Sequence, residues 1–532
     1  MAMVRKDNEK AYDWAAALFF ICFAYLACYQ ALYGHLDIDE GAYLQAARLV
    51  YNGRLPYRDF LHVHPPLVPY VYGIPQLCCH GVLMGRLTSV VCGLATLLLS
   101  WKLARKVSGH LGALITVAIL TFTFKVVWTF SVVRTEPLAI LLAISGLYCF
   151  LALPREPARS ILSTGCLVAA TAARISCLPA ALLALGMALY QNRHAPRTAA
   201  KIVASTVGLV ALLFGPFLWA DPQAMVFNIY TFQRYRDAQW GNPLNLNPWK
   251  WFYARACFSA DCLIRWFPSA VLALTVLVPF TLGRSASDKR RHLTYWTMLG
   301  LAAVLYIPNL LAPNRLIETY FVPSFVVLAI FCGCAIADYR RRLSGTPAAS
   351  LLMAIAVALV ITQGLDLIAH HSGSVNPTSP QLGTLREVAR YVASVTPPEG
   401  QVVTLDTYLA VEAGCRVAPG LDRNYFSYFP HFSDQEAARY HVVNDHLLAQ
   451  AMLDKATTCV LLTDHAIQLI SEKEMQPGRF TKPLSEDDLY SRLPMLRGEY
   501  TLTRVVPDFG AWHDNLYVLV RKSRARSRVT DS

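Results

Sequence analysis

Three acids, Asp37, Asp39 and Glu40, fall within four residues of one another just beyond an apolar run that ends near Tyr33. Carboxylates at a membrane boundary are costly unless they are solvated or used, which makes the cluster a candidate for proton transfer. The same segment, His35 to Pro66, also carries Tyr43, Tyr57, His62 and His64. Between Gly41 and Tyr51, residues Ala42, Leu44, Ala47 and Val50 sit at helical spacing, predicting a short amphipathic helix along the interface. The acids then stand at its N-terminus, where the helix dipole favours negative charge. Helix capping explains one acid, Asp39, and accounts poorly for three. Asp37-x-Asp39 also has an acid-x-acid pattern that can hold a divalent cation, with Glu136 as a third oxygen ligand and His62-x-His64 as further ones. Two arginines complete the set. Arg174 interrupts an otherwise apolar stretch and Arg315 lies at the outer end of another, and a guanidinium fork matches phosphate oxygens. Glu136 follows Arg134 closely at the start of a span, so its alternatives are a local ion pair and a ligand contact.

These side chains need a scaffold, and the composition says which kind. Of the 532 residues, 55% are hydrophobic and 16% charged, against about 25% charged in soluble domains. That excludes a disordered, fibrous or ordinary cytosolic chain. The net charge of +13 sits mostly in short basic clusters between apolar runs, which is a membrane topology signal and no sign of nucleic-acid binding. The 14 cysteines show no CxxC pair and no zinc-like spacing with histidine. Apolar runs long enough to span, ~17–25 residues, occur at 14–33 and near 67–100, 110–128, 136–153, 161–190, 203–220, 263–282, 293–311, 320–337 and 349–369. The stretch from Leu67 to Trp101 holds Pro69 and Pro75 and is either one kinked span or a lead-in plus a span. The stretch 161–190 reads as a hairpin with Arg174 at its far turn. The expectation is a polytopic α-helical membrane protein of about eleven transmembrane helices.

Basic clusters such as Lys102/Arg105/Lys106, Arg155/Arg159 and Arg340/Arg341/Arg342 occupy alternate connections, which places those connections and the N-terminus in the cytoplasm. The opposite face receives 35–66, 125–135, 221–262 and 312–319. The aromatic-rich stretch 221–262, with Phe232 and Trp249 among others, reads as an interfacial belt, with a lid over the site as the alternative. From about Ser372 the pattern becomes that of a small soluble α/β domain. Leu382, Leu385, Val388, Ala389 and Val392 form one helical stripe, and 401–405, 458–462, 500–506 and 516–520 read as strands. The division is therefore a membrane domain, 1–371, and an extracytoplasmic domain, 372–532, with a basic tail from Arg521.

Asp39-Glu40 with Tyr43, then Gly53, Pro56-Tyr57, His64-Pro65-Pro66-Leu67 and Gly85-Arg86-Leu87, resembles the bacterial GT-C glycosyltransferases. More narrowly, these residues are similar to the protein O-mannosyltransferase and aminoarabinose transferase (ArnT-like) branch, family 39 and its relatives. Arg134-Thr135-Glu136, Arg174 and Asn314-Arg315 to Tyr320-x-x-Pro323 continue the resemblance over about residues 10–340. It implies a GT-C fold and transfer of a sugar from a polyprenyl-phosphate donor, with inversion, to an acceptor hydroxyl on a glycolipid, polysaccharide or protein. It implies Asp39 as the base with Glu40 as its helper, and Arg174, then Arg315, on the donor phosphate. Donor or acceptor contact is implied at Tyr43, Tyr57, His62, His64, Arg86, Glu136 and Tyr320. Relatives often carry lysine near the His64 and Arg174 positions. No cofactor is implied, a divalent cation on Asp37, Asp39 and Glu136 being the lesser alternative. The implied location is a bacterial inner membrane among its lipids, the C-terminal domain periplasmic. A transporter or flippase of a lipid-linked or anionic substrate is the rival function, and an inactive scaffold the third.

Overall fold

The computed structural model describes residues 2–239, 248–272, 274, 289–311, 316–375, 381–473, 480 and 482–522. Among the described residues, seven helices are long and apolar enough to cross a membrane: Glu9–Tyr33, Val82–Ser108, Thr135–Ala152, Pro196–Ala220, Arg291–Leu311, Glu318–Arg342 and Pro347–Ser374. Three shorter apolar helices, His110–Phe122, Ala158–Ala173 and Ile175–Gln191, accompany them. Of the expected span at 263–282, residues 273 and 275–282 lie outside the described residues.

The bundle is organised around Val322–Arg342, in which every residue from Val322 to Tyr339 is buried. Apolar tails do not drive helices together, so such packing relies on close contact between small residues. Gly333 supplies it here: a Cβ at this position would overlap the Thr116 hydroxyl and stand 2.7 Å from the Gly112 carbonyl. The stretch after Leu67 resolves into a short helix, Leu67–Gln76, and the span Val82–Ser108, so the lead-in arrangement holds. Gly81, at φ +126°, makes the break between them, a backbone region that side chains with a Cβ avoid. Residues 158–191 form the expected hairpin, with Arg174 in extended conformation between Ala158–Ala173 and a 3₁₀ turn, Ile175–Cys177.

In the C-terminal domain one sheet runs β2-β1-β3-β5-β4, with β1 Gln401–Thr404, β2 Arg416–Val417, β3 Thr457–Thr463, β4 Tyr500–Phe509 and β5 Asp514–Arg521. β1 is parallel to both its neighbours, and β5 is antiparallel to β3 and β4. The predicted stripe on Gln381–Val395 is buried in full. Arg521 belongs to β5, where it bonds the Thr457 carbonyl and pairs with Glu499; residues beyond Lys522 lie outside the described set.

The stretch expected as an aromatic loop is largely helical: Pro222–Val226, Phe227–Thr231, Phe232–Gln239 and Pro248–Trp266. Its rings divide between two tasks. Trp249 and Tyr253 are exposed, as belt residues are. Phe227 instead stacks on Tyr440, with centroids 3.6 Å apart, and Phe232 meets Phe429 edge-on at 5.7 Å. These contacts fasten the C-terminal domain to the membrane domain.

The predicted amphipathic helix forms as Glu40–Tyr51. It is enclosed and does not float at an interface, because helix Thr407–Ala413 of the C-terminal domain covers it. A Cβ on Gly41 would overlap the Tyr408 backbone nitrogen. Polar bonds complete the junction: Gln45 donates to Asp422, Arg48 to the Cys415 carbonyl, and Asn424 to the Ile38 carbonyl.

Candidate active site

The acids after the first span divide into a supporting set and a presented one. Glu40 is fully buried and receives Arg86 in bidentate fashion, at 2.8 Å to Oε1 and 2.7 Å to Oε2. Arg86 also donates to the carbonyls of Ala31, Gly34 and His35. The backbone N–H groups of Asp37 and Val133 donate to Glu40 as well. Both charges are thereby satisfied, and the pair ties the end of the first span to the turn that precedes Thr135–Ala152. Glu40 and Arg86, expected at the substrate, are closed on each other with neither side chain exposed.

Asp37 is held by Arg134, at 2.8 Å from Nη2 and 3.2 Å from Nε, and accepts the Asp39 backbone N–H. Burial pushes the Asp37 carboxyl above the usual carboxylate range, against the pull of Arg134. Asp39 occupies the N-cap position of Glu40–Tyr51, yet its side chain makes no capping bond. Its carboxylate lies 3.6 Å from Arg134 and 3.4 Å from Arg423. With 19% of its side chain exposed, against 10% for Asp37, 1% for Glu136 and 0% for Glu40, it is the most accessible of the four acids.

Glu136 pairs with Arg174 at 2.8 Å, while its sequence neighbour Arg134 turns to Asp37. The local Arg134–Glu136 pair expected as one alternative does not form. Arg174 also donates to Thr135 and Ser176 and lies 4.5 Å above the Tyr320 ring. Tyr43 lies within electrostatic reach of Asp39, Glu136, Arg134 and Arg174, and His64 within reach of Arg423 and Arg174. The structure therefore brings Asp37, Asp39, Tyr43, His64, Arg134, Glu136, Arg174 and Tyr320 together at one end of the bundle.

The Tyr43 hydroxyl donates to His64 Nε2 at 2.9 Å. Burial and the nearby guanidiniums hold the His64 imidazole well below its ordinary pKa, so it is a neutral acceptor. His62 is brought down to about 3 by burial and lies with its ring near the Pro65 carbonyl. Tyr57, at φ +72°, sits in an apolar cluster with Phe217 and Met225 and donates to the His64 carbonyl. Both side chains are buried, and the His62 ring meets the His64 ring edge-on with centroids 6.4 Å apart. Asn314 and Arg315 lie outside the described residues.

Asp37 and Glu136, two of the three acids in the alternative metal set, have close guanidinium partners. Among the described residues no three His, Cys, Asp or Glu side chains gather as a metal site. Sequence reasoning missed Arg423, which reaches the acids from the C-terminal domain. Its sequence signal is a polar Asp422-Arg423-Asn424 step between Leu421 and Tyr425, which nothing local connects to residues near 40.

A multi-span bundle with acids gathered at one end, covered by a small sheet domain, is the GT-C architecture, and the chain has that fold. Residues 63–219 match the family model of the dolichyl-phosphate-mannose-protein mannosyltransferases. The chain is similar to the crystal structure of ArnT from Cupriavidus metallidurans in the apo state, with a TM-score of 0.62 at 13% identity over 96% of this chain and 98% of that one. The same enzyme bound to undecaprenyl phosphate superposes at 0.59, with 12% identity over 94% and 97% of the two chains. The Archaeoglobus fulgidus oligosaccharyltransferase in complex with Zn and sulfate matches at 0.51 and 13% identity, over 93% of this chain and 72% of that one. No curated protein sequence matches the chain.

Proposed function

We propose that the protein is an integral-membrane glycosyltransferase that moves a sugar from a polyprenyl-phosphate donor to an acceptor hydroxyl, with inversion, at the extracytoplasmic face of a bacterial inner membrane. The observation that carries this reading is the Asp39 carboxylate, uncapped, the most accessible of the four acids, and set between two guanidiniums. Asp39 takes the proton of the acceptor hydroxyl as its oxygen bonds the anomeric carbon. The bond from that carbon to the phosphate oxygen breaks, and the polyprenyl phosphate leaves with the electron pair. Charge builds on the departing phosphate, so cations set beforehand around it lower the barrier. Arg174, supported by Tyr320 and Glu136, is the membrane domain's candidate for that contact, with Arg315 the second. Tyr43 and neutral His64 line the space beside Asp39 as donor or acceptor contacts. The Arg134 and Arg174 pairs already neutralise Asp37 and Glu136, which supports a reaction without a catalytic metal.

The test is transfer of radiolabelled sugar from polyprenyl-phosphate donors by the purified protein in nanodiscs, comparing wild type with Asp39→Asn and adding a chelator in parallel. The expected result is a loss of at least about a hundredfold in the variant, the scale of general-base catalysis, and indifference to chelator. Full activity in Asp39→Asn removes the base assignment. Transfer from no donor moves the weight to a transporter or scaffold.

A further inference from the structure

Among the described residues, four guanidiniums stand beside the acids of this site, and three are committed. Arg86 is bidentate on Glu40, Arg134 on Asp37, and Arg174 pairs with Glu136 at 2.8 Å. Arg423 is different. Its side chain is 4% exposed, yet its nearest carboxylate, Asp39, is 3.4 Å away and reached through Nη2 alone. The same Nη2 lies 3.3 Å from His64 Nε2, which already accepts from Tyr43. The guanidinium carbon rests 4.7 Å over the Tyr43 ring. Nε and Nη1 are buried without any hydrogen-bond partner, so the Nε–H and both Nη1–H donors are idle. A buried charge with unsatisfied donors is destabilising, which is the state of a group built to receive an anion.

Resting on the reading above, we propose that Arg423 is a ligand for the donor's phosphate, contributed by the C-terminal domain, so that the site is incomplete without that domain. The position suits the role. Neutral His64 and the Tyr43 ring leave the positive charge uncancelled, and Asp39 is the one carboxylate it touches among the described residues. Phosphate oxygens supply acceptors for the idle donors in the fork geometry that arginine favours. The bond from Asn424 to Ile38 and the bond from Gln45 to Asp422 hold the residues on either side of Arg423 against the first outer loop. Docking of the domain thereby sets the guanidinium beside the base.

The experiment measures binding of undecaprenyl phosphate and of undecaprenol to the full chain in phosphatidylcholine nanodiscs, for wild type, Arg423→Gln and Arg423→Lys. The ratio of the two affinities reads recognition of the phosphate and is insensitive to a general loss of lipid binding. Wild type is expected to favour the phosphorylated lipid, Arg423→Gln to lose at least about tenfold of that preference, and Arg423→Lys to lose part of it. The lysine variant retains a cation beside Asp39 and gives the same readout should the glutamine variant fail to fold. A preference unchanged in the variants overturns the role of Arg423 and leaves the glycosyltransferase reading standing. No preference in wild type overturns both.

Discussion

Adjacent acids in this chain have different work because their partners differ. Glu40 and Asp39 share a peptide bond, yet one is sealed against Arg86 and the other is left with two longer contacts. Replacing Glu40 or Arg86 by glutamine leaves its partner buried and uncompensated, which costs about 3–5 kcal/mol. Thermal unfolding in detergent should show that loss, and the double replacement Glu40→Leu with Arg86→Met should recover much of it. Arg174→Gln should destabilise for the same reason, since Glu136 is 1% exposed and loses its cation. A fall in donor recognition without a fall in melting temperature would remove that argument and leave a direct phosphate contact.

At the level of elements, Glu40–Tyr51 is the piece on which the site turns. It carries Asp39 at its N-terminus, Tyr43 one turn in, and on its outer face the contacts to the C-terminal domain. Glycine at 41 is demanded by the approach of Thr407–Ala413, as glycine at 85 is by Val133 and Leu44, which a Cβ there would meet at 2.6 and 2.8 Å. Gly41→Val should therefore raise hydrogen exchange in both Glu40–Tyr51 and Thr407–Ala413 and lower sugar transfer at least about tenfold, since misplacement of a reacting group by about 1 Å costs two orders of magnitude. Exchange that is unchanged in Thr407–Ala413 would show that this crossing does not hold the domain.

For the whole molecule, the junction between its two parts carries a titratable group. Asp422 accepts from Gln45, and burial raises its carboxyl from 3.8 to about 6, with Gln45 and Arg54 pulling the other way. Its folded pKa lies above the unfolded value, so the folded state binds the extra proton between the two. Stability is fully present below about pH 4 and falls as pH rises through about 6. Asp422→Asn should therefore melt higher than wild type at about pH 7.5, with the difference closing near pH 4; a constant difference would show that Asp422 does not titrate on docking. The long apolar helices, the hairpin at Arg174, the helix after Asp39 and most of the sheet were legible in the sequence, because hydrophobic length and period act over neighbouring residues. The ion-pair partners of the acids were not legible, since Arg134 and Glu136 look paired in sequence and separate in space. Arg423 was beyond reach for the same reason: its contact to Asp39 spans 384 residues. By itself, then, the sequence determined a membrane bundle, a small C-terminal α/β domain and a cluster of acids just beyond the first apolar run. Tertiary structure alone decided which acid is most accessible, because that depends on which guanidinium arrives at each one from elsewhere in the chain.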